Sequence, residues 1–450
     1  MTPFEKIHAY SKTVCGQMRW KKAHAVVAEE IENHLIDQRN AYMADGADEA
    51  AATDKALKQM GDPVTVGAQL DRTHRPKPQW GMLGFISLFL LLGIAFQFVF
   101  YWGSGYRWML NLFITEGIGL AIFTGFYFSN FTWVGRYSKI IVSILVVLFC
   151  LGFVLERPNI LSMYSDAVLL VFPVGFAGMT YSLKGKGYWG ILLLIAALAV
   201  VLLVPVIARA RWLRAECIMV TLSSLALLCV AIAKRWFGVK PLKGLMVVVI
   251  PSAIAVILLA VFITSDSSRL EWFLSAFNPS YKTLNPESWG WEIKASLAGS
   301  QFIGHGVMPD GTYRGAGYGI WTLLTSLIFH FGWISIIPII SLFTLFIVIS
   351  LRLCLKQKNA LALFLSISAT TIISFEFIGY VFFNLGFYVL PSVSLPLISQ
   401  LGDYVFYANM ILIGMMLSVF RTGHVIRDNN LLSAHRLVSF HNGRLSFSKK

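Results

Sequence analysis

Arg209, Arg211 and Arg214 crowd one short loop, "ARARWLRAE". Beside a membrane, guanidinium groups at this density have two uses. Their stems can snorkel along the interface, or their planar forks can hold a lipid phosphate. A second stretch, "NLGFYVLPSVSLPLISQLGD" (384–403), places Pro391 and Pro396 between two long apolar runs. Proline removes a backbone donor and stops helices. Non-helical backbone at membrane depth must be buried in protein or line a wet cavity. A third stretch, "GSQFIGHGVMPDGTYRGAGYG" (299–319), sets His305, Asp310 and Arg314 among glycines. No metal site is read from the sequence: "EEIENH" lacks the H-E-x-x-H spacing, and the five cysteines form no C-x-x-C pair and read as small hydrophobes.

The elements that must position these residues are apolar helices. Of 450 residues, 56% are hydrophobic and 13% charged, with a mean hydropathy of +0.67. That composition excludes a soluble globular class and points to a polytopic membrane protein. About ten segments approach the ~20 residues that a span needs: 83–101, 108–128, 138–155, 166–182, 188–207, 217–234, 244–264, 320–351, 361–383 and 398–420. The eighth is too long for a simple span and is expected to contain a tilted or re-entrant portion around "FHFGW". With ten spans, "RTHRPKP", "GRYSK", "SLKGKG", "AKRWFGVKPLKG", "RLCLKQK" and the tail fall on one side, which the positive-inside rule makes cytoplasmic, with both termini there. The net charge of +14 is therefore expected to face anionic lipid rather than nucleic acid. The segment 265–318 becomes the large outer loop. Glu292 and Lys294, too close in sequence to face each other, read there as amphipathic surface, and His330 as a satisfied core histidine.

The first 80 residues are polar and read as a small helical module. Val27, Ile31, Leu35 and Tyr42 share one helical face, and Gly46 ends that helix. Asp48 caps a second helix carrying Ala52, Ala56, Leu57 and Met60, and Asp62-Pro63 starts a third through Leu70. The expected architecture is all-α: a cytoplasmic helical prefix and linker (1–80), a membrane domain of about ten helices (81–425) and a basic cytoplasmic tail (426–450).

Two segments carry a family resemblance. "WEIKASLAGSQFIGHG" is similar to the segment "QSLIAIGSGGLFGKG" that precedes the eighth span in the SEDS family (shape, elongation, division, sporulation; FtsW-, RodA- and SpoVE-like proteins). Ser296, Leu297, Ala298, Ser300, Gly304 and Gly306 match. The stretch 384–403 resembles the family's "N-x-G…P-x-x-G-x-P-L-P-x-I-S-x-G-G", with Asn384, Gly386, Pro391, Leu395, Pro396, Ile398, Ser399 and Gly402 matching. The first 80 residues resemble the "permease prefix" module of Gram-positive membrane proteins. The resemblance implies a multi-pass protein of a bacterial cytoplasmic membrane. It further implies polymerisation of lipid II, or handling of another polyprenyl-linked precursor, beside a class B penicillin-binding protein. In that chemistry an outer-loop Asp takes the proton of the attacking sugar hydroxyl. A divalent cation (magnesium or manganese) or basic side chains stabilise the leaving pyrophosphate.

The family's Asp lies in "P-E-x-x-T-D-F-I-F". Aligned on Phe331-Gly332-Trp333, its place is held by Trp321. Asp310 is the nearest substitute base, then Glu292, Glu287 or Asp403, although "PDG" is equally a turn signal. The resemblance assigns substrate contacts to Ser296, Gly304, Gly306, Asn384, Pro391, Pro396 and Ser399. His305 and Arg314 are candidates for the pyrophosphate, and Arg209, Arg211 and Arg214 for a lipid phosphate. A catalytically silent relative that binds the precursor and scaffolds, and a transporter of it, are the alternatives.

Overall fold

The structure is a computed structural model that describes residues 2–101, 106–154, 160–207, 215–265, 267–278, 280, 289–308, 320–387, 394–398, 404–423, 438–441 and 444–447. Its order is α1 (Pro3–Gly16), α2 (His24–Ala44), α3 (Glu49–Met60), α4 (Pro63–His74), α5 (Trp80–Tyr101), α6 (Tyr106–Phe128), α7 (Thr132–Arg136), α8 (Ser138–Val154), α9 (Ile160–Ser182), α10 (Gly187–Ile207), α11 (Ala215–Ala233), α12 (Pro241–Thr264), α13 (Ser267–Phe277), α14 (Trp289–Gly299), α15 (Leu323–Phe331), α16 (Ile336–Leu355), α17 (Ala360–Asn384) and α18 (Tyr404–Thr422). The architecture is all-α as expected, with one short antiparallel pair, Val438–His441 with Arg444–Phe447, besides the helices.

The chain divides into two compact units, Met1–Pro78 with Phe420–Lys450, and Gln79–Val419. In the first, α1 to α4 close around Ile7, Val14, Val27, Ile31, Leu35 and Ala56. Helix α1 was not expected, yet Thr2-Pro3-Phe4-Glu5 carries its start. The Thr2 hydroxyl accepts from the Glu5 amide, and the Glu5 carboxylate accepts from the Thr2 amide at 2.8 Å. Asp62 caps α4 by accepting from the Thr65 amide (2.9 Å). Asp48 stands at the N-terminus of α3 but its side chain makes no capping bond there, which corrects the expectation. Gly46 and Gly61 close α2 and α3 at φ of +93° and +91°, a region glycine enters without steric cost.

In the second unit, eight helices among the described residues are long and apolar enough to cross a membrane: Trp80–Phe98, Met109–Phe128, Ser165–Ser182, Gly187–Val204, Glu216–Ala233, Trp333–Leu355, Ala360–Asn384 and Tyr404–Thr422. Shorter apolar helices, Ser138–Gly152 and Pro241–Ile254, hold the third and seventh places. The protein is thus an α-helical polytopic membrane protein. Its interior is set by α17 and α18, which bury 78% and 83% of their spans, whereas α16 buries 22%. Exposed residues such as Leu91, Phe113, Ile140, Val249, Ile257 and Leu345 are suited to lipid contact. Inside, Phe343 of α16 stacks on Phe377 of α17 at 4.4 Å, and Phe89 of α5 closes the cluster. Gly414 lets α18 approach α6, since a Cβ there would stand 2.8 Å from the Phe123 carbonyl.

Candidate functional site

The eighth apolar segment is broken. Helix α15, buried along most of its length, ends at Gly332 with φ +88°, and the chain restarts through Trp333 into α16. A break of this kind strands the last carbonyls of one helix and the first amides of the next. The glycine-rich loop after α14 satisfies both sets. The Gly306 amide donates to the Phe329 carbonyl (2.7 Å) and the Gly304 amide to the Phe331 carbonyl (3.3 Å). In return the Gln301 and Phe302 carbonyls accept from the Trp333 (3.0 Å) and Ile334 (3.3 Å) amides. The Val307 amide closes the loop on the Gly299 carbonyl at 3.0 Å.

This clasp explains the small residues. A Cβ at Gly299 would sit 2.0 Å from the Val307 carbonyl oxygen, and one at Gly306 would meet the Gly299 carbonyl at 2.7 Å and the Phe329 ring at 2.9 Å. Gly304 has φ +100°, where only glycine is unstrained. Ser296 is buried beneath the clasp, donating to the Glu292 carbonyl at 2.7 Å and touching the Met308 sulfur at 3.6 Å. His305, exposed, lies opposite half-buried His330, with ring centroids 4.8 Å apart.

At the other end of α15, Asn384 bolts the end of α17. Its Oδ1 accepts from the Thr325 amide (3.0 Å), and its Nδ2 donates to the Trp321 (2.9 Å) and Tyr380 (3.0 Å) carbonyls. The Thr325 hydroxyl donates to the Asn384 carbonyl (2.9 Å), and both residues are fully buried. Pro396 belongs to a buried turn, Ser394–Ile398, closed by the Ile398 amide on the Leu395 carbonyl (3.2 Å). Leu397 in that turn has φ +68°, a strained value for a branched side chain. The irregular backbone expected around the prolines is, in its described part, buried in protein.

Lys294 corrects the sequence reading of an amphipathic surface. It is 7% exposed, and its ammonium donates to the Ser275 (2.8 Å), Ala276 (3.4 Å) and Asn278 carbonyls at the C-terminal end of α13. A cation there meets the negative end of a helix dipole. Its stem packs on Gly386, whose φ is +86°. Burial pushes the Lys294 pKa down from the ordinary lysine value. Glu292 on the same helix is half-buried.

Ser296, Gly304, His305 and Gly306 therefore meet in one clasp, Asn384 joins α17 to α15, and Pro396 lies in its own buried turn. Asp310, Arg314, Pro391, Ser399, Arg209, Arg211 and Arg214 lie outside the described residues, as do the substitute carboxylates Glu287 and Asp403. Sequence reasoning missed the Lys294 cap, the Thr325 partner of Asn384 and Glu376, a carboxylate inside α17 with 0% exposure. Only the last had a plain signal, an acidic residue within "SFEFIGY". Magnesium and manganese favour oxygen ligands. Among the described residues no three His, Cys, Asp or Glu side chains converge, so the described donor set does not fit the cation implied above.

No protein-family model matches the chain, and no curated protein matches it in sequence. In fold it is similar to a chain of a solved structure on the coordination of polymerization and crosslinking by a peptidoglycan synthase complex. The TM-score is 0.57 at 16% identity, over 76% of this chain and 98% of that one. About a quarter of the present chain thus has no counterpart there. The helical membrane fold built around α17 and α18 is accordingly of the kind found in a chain of that peptidoglycan synthase complex.

Proposed function

We propose that this protein is a SEDS-type cell-wall protein that binds lipid II, or a closely related polyprenyl-linked precursor, at the outer face of a bacterial cytoplasmic membrane. The observation that carries the reading is the fold likeness, which spans nearly the whole of a chain from a peptidoglycan synthase complex. The clasp around Gly304 and Gly306 and the buried turn at Pro396 add weight, because both fall on the segments that resemble the family. Polymerisation of the glycan strand is the primary activity of this reading, with a class B penicillin-binding protein as partner. Asp310 is its general base, Arg314 and the arginines at 209, 211 and 214 are its phosphate contacts, and no step is routed through a divalent cation.

A second reading is a catalytically silent relative that binds the precursor and scaffolds. Trp321 favours it. The indole stands where the resemblance puts the catalytic carboxylate, and an indole cannot accept a proton as a base. Its carbonyl is committed to Asn384. The test for both is polymerisation of labelled lipid II by the purified full chain, alone and with a class B penicillin-binding protein from the same host, followed by strand length on a gel. The enzyme reading expects long strands that disappear in Asp310→Ala. Lipid II retained by the protein without strands, partner present, decides for the scaffold. Absence of both binding and strands overturns the proposal.

A further inference from the structure

We infer that the paired loops 183–187 and 234–243 form a binding surface for the headgroup phosphates of an anionic phospholipid. Backbone hydrogen bonds hold the two loops together. The Gly185 amide donates to the Trp236 carbonyl (3.1 Å) and the Gly187 amide to the Phe237 carbonyl (3.0 Å). The Trp236 indole N–H donates back to the Thr180 carbonyl (3.1 Å), and its ring stacks on Tyr181 at 5.3 Å. The helices that adjoin the loops are packed as tightly. A Cβ at Gly244 of α12 would stand 2.8 Å from the Ile232 side chain of α11 and 3.7 Å from that of Ile191 of α10. The start of α10, the end of α11 and the start of α12 therefore meet, and the charged residues at these ends share one surface.

Those residues are all cations: Lys184, Lys186, Lys234, Arg235, Lys240 and Lys243, each exposed. None of the six pairs with a carboxylate among the described residues, and the sequence has no Asp or Glu at 167–215 or 217–265. The Lys184 ammonium is steadied 4.7 Å from the centre of the Trp236 ring. Arg235 closes α11 at φ +55°, with the Trp236 amide on the Ala231 carbonyl (3.0 Å), a left-handed position that glycine usually takes. Lys186 immediately precedes α10, and Lys240 and Lys243 open α12, where the positive end of a helix dipole repels a cation. The helices are not stabilised by these three lysines, whereas an anion among them is. The depth of the surface selects the anion. Trp189, in the first turn of α10, is 76% exposed, and Leu242, in the first turn of α12, is 68% exposed. Apolar side chains turned outward at the start of a span belong in lipid, and tryptophan marks the level of the headgroups. The cations beside them thus stand in the headgroup layer, not out in water where an acidic protein would dock. Lysine binds phosphate as a point charge, and basic pockets between membrane helices take anionic headgroups in this way. The inference is independent of whether the protein polymerises glycan.

The test titrates the full chain in detergent with phosphatidylglycerol or phosphatidylcholine and counts bound lipid by native mass spectrometry. Three proteins are compared: the parent, a Lys186→Gln, Lys240→Gln, Lys243→Gln triple variant, and an Arg352→Gln, Lys356→Gln, Lys358→Gln triple variant. The last removes the same charge from exposed positions at the end of α16. The parent should retain phosphatidylglycerol in preference to phosphatidylcholine. The first variant should hold it at least about tenfold more weakly, and the second should match the parent. Equal losses in both variants would reduce the effect to diffuse attraction and overturn the site. Equal retention by all three proteins, or a parent without preference, overturns it as well. Should the first variant fail to fold, the parent in nanodiscs decides. Phosphatidylglycerol in place of phosphatidylcholine should slow hydrogen exchange at 183–187 and 234–243 more than at 352–358, and an equal change in all three segments refutes the surface.

Discussion

At the scale of single residues, the glycines and Asn384 divide the labour around α15. Gly299 has the least room, with a backbone oxygen 2.0 Å from where a Cβ would stand. Backbone cannot rotate away as a side chain can, so Gly299→Ala must open the clasp, at a cost of about 1–3 kcal/mol. It should lower the melting temperature of the purified protein by several degrees, whereas Gly16→Ala, which meets nothing within 4 Å, should leave it unchanged. Lys294→Met removes the donor that serves three carbonyls at the end of α13. Hydrogen exchange at 275–278 should accelerate, and a rate equal to the parent's would show that the cap is dispensable. These two residues also mark what was legible. The glycines stood out in the sequence as a pattern. Lys294 did not, because nothing in "WEIKAS" reveals that its ammonium meets the end of another helix.

At the scale of elements, most spans were readable, since an apolar run of near-membrane length has few alternatives. The third and seventh, expected at 138–155 and 244–264, correspond to Ser138–Val154 and Pro241–Thr264. The expected irregularity at "FHFGW" is the break at Gly332, and the segment 320–351 resolves into α15 and α16. Helix α1 has little apolar periodicity to mark it, and its local signal is the Thr2–Glu5 capping box. Its contact with α2 also carries a pH dependence. Burial raises the Glu32 pKa, but the Ser11 hydroxyl (2.6 Å) and His8 (2.8 Å) outweigh it, and the net shift is downward. A carboxylate with a depressed folded pKa stabilises above its unfolded value and loses that contribution as pH falls through the folded one. The protection of α1 amides, with exchange corrected for its intrinsic pH dependence, should therefore fall as pH drops through and below the ordinary glutamate range. In Glu32→Gln that acid-side loss should vanish. An α1 equally sensitive to acid in both proteins would assign the effect elsewhere.

For the whole molecule, the informative residues are polar groups inside the helical core. Glu376 of α17 is fully buried, and Asn409 of α18 is 1% exposed, its side-chain amide making no hydrogen bond. An unsatisfied buried amide costs about 1–3 kcal/mol, so Asn409→Leu should be neutral or stabilising in a thermal melt. A clear loss of stability would mean that the amide holds something when the protein is at work. Glu376→Gln should be tolerated, while Glu376→Lys should abolish accumulation in the membrane, as the side chain is fully enclosed. Glu376 carries a sequence signal as an acidic residue inside "SFEFIGY", whereas Asn409 carries none. A periodic pattern shows that a face is apolar, but not which polar residue the assembled bundle encloses.

The burial of α18 has a consequence for how the protein is made. Among the described residues it is the last of the eight helices long and apolar enough to cross a membrane and the one with the largest buried share, with Phe406 against Gly119, Met416 against Thr370 and Ser418 bonded to the Ser129 carbonyl. A ribosome delivers it after every surface that it covers. Until then, the earlier helices present to the bilayer a furrow lined by Gly119, Thr370 and the Ser129 carbonyl, where their final partner belongs. The nascent protein therefore lacks the helix that its other helices enclose until that helix is made. Cutting the reading frame anywhere before Tyr404 should leave quality-control proteases with a substrate, however many spans have already been inserted.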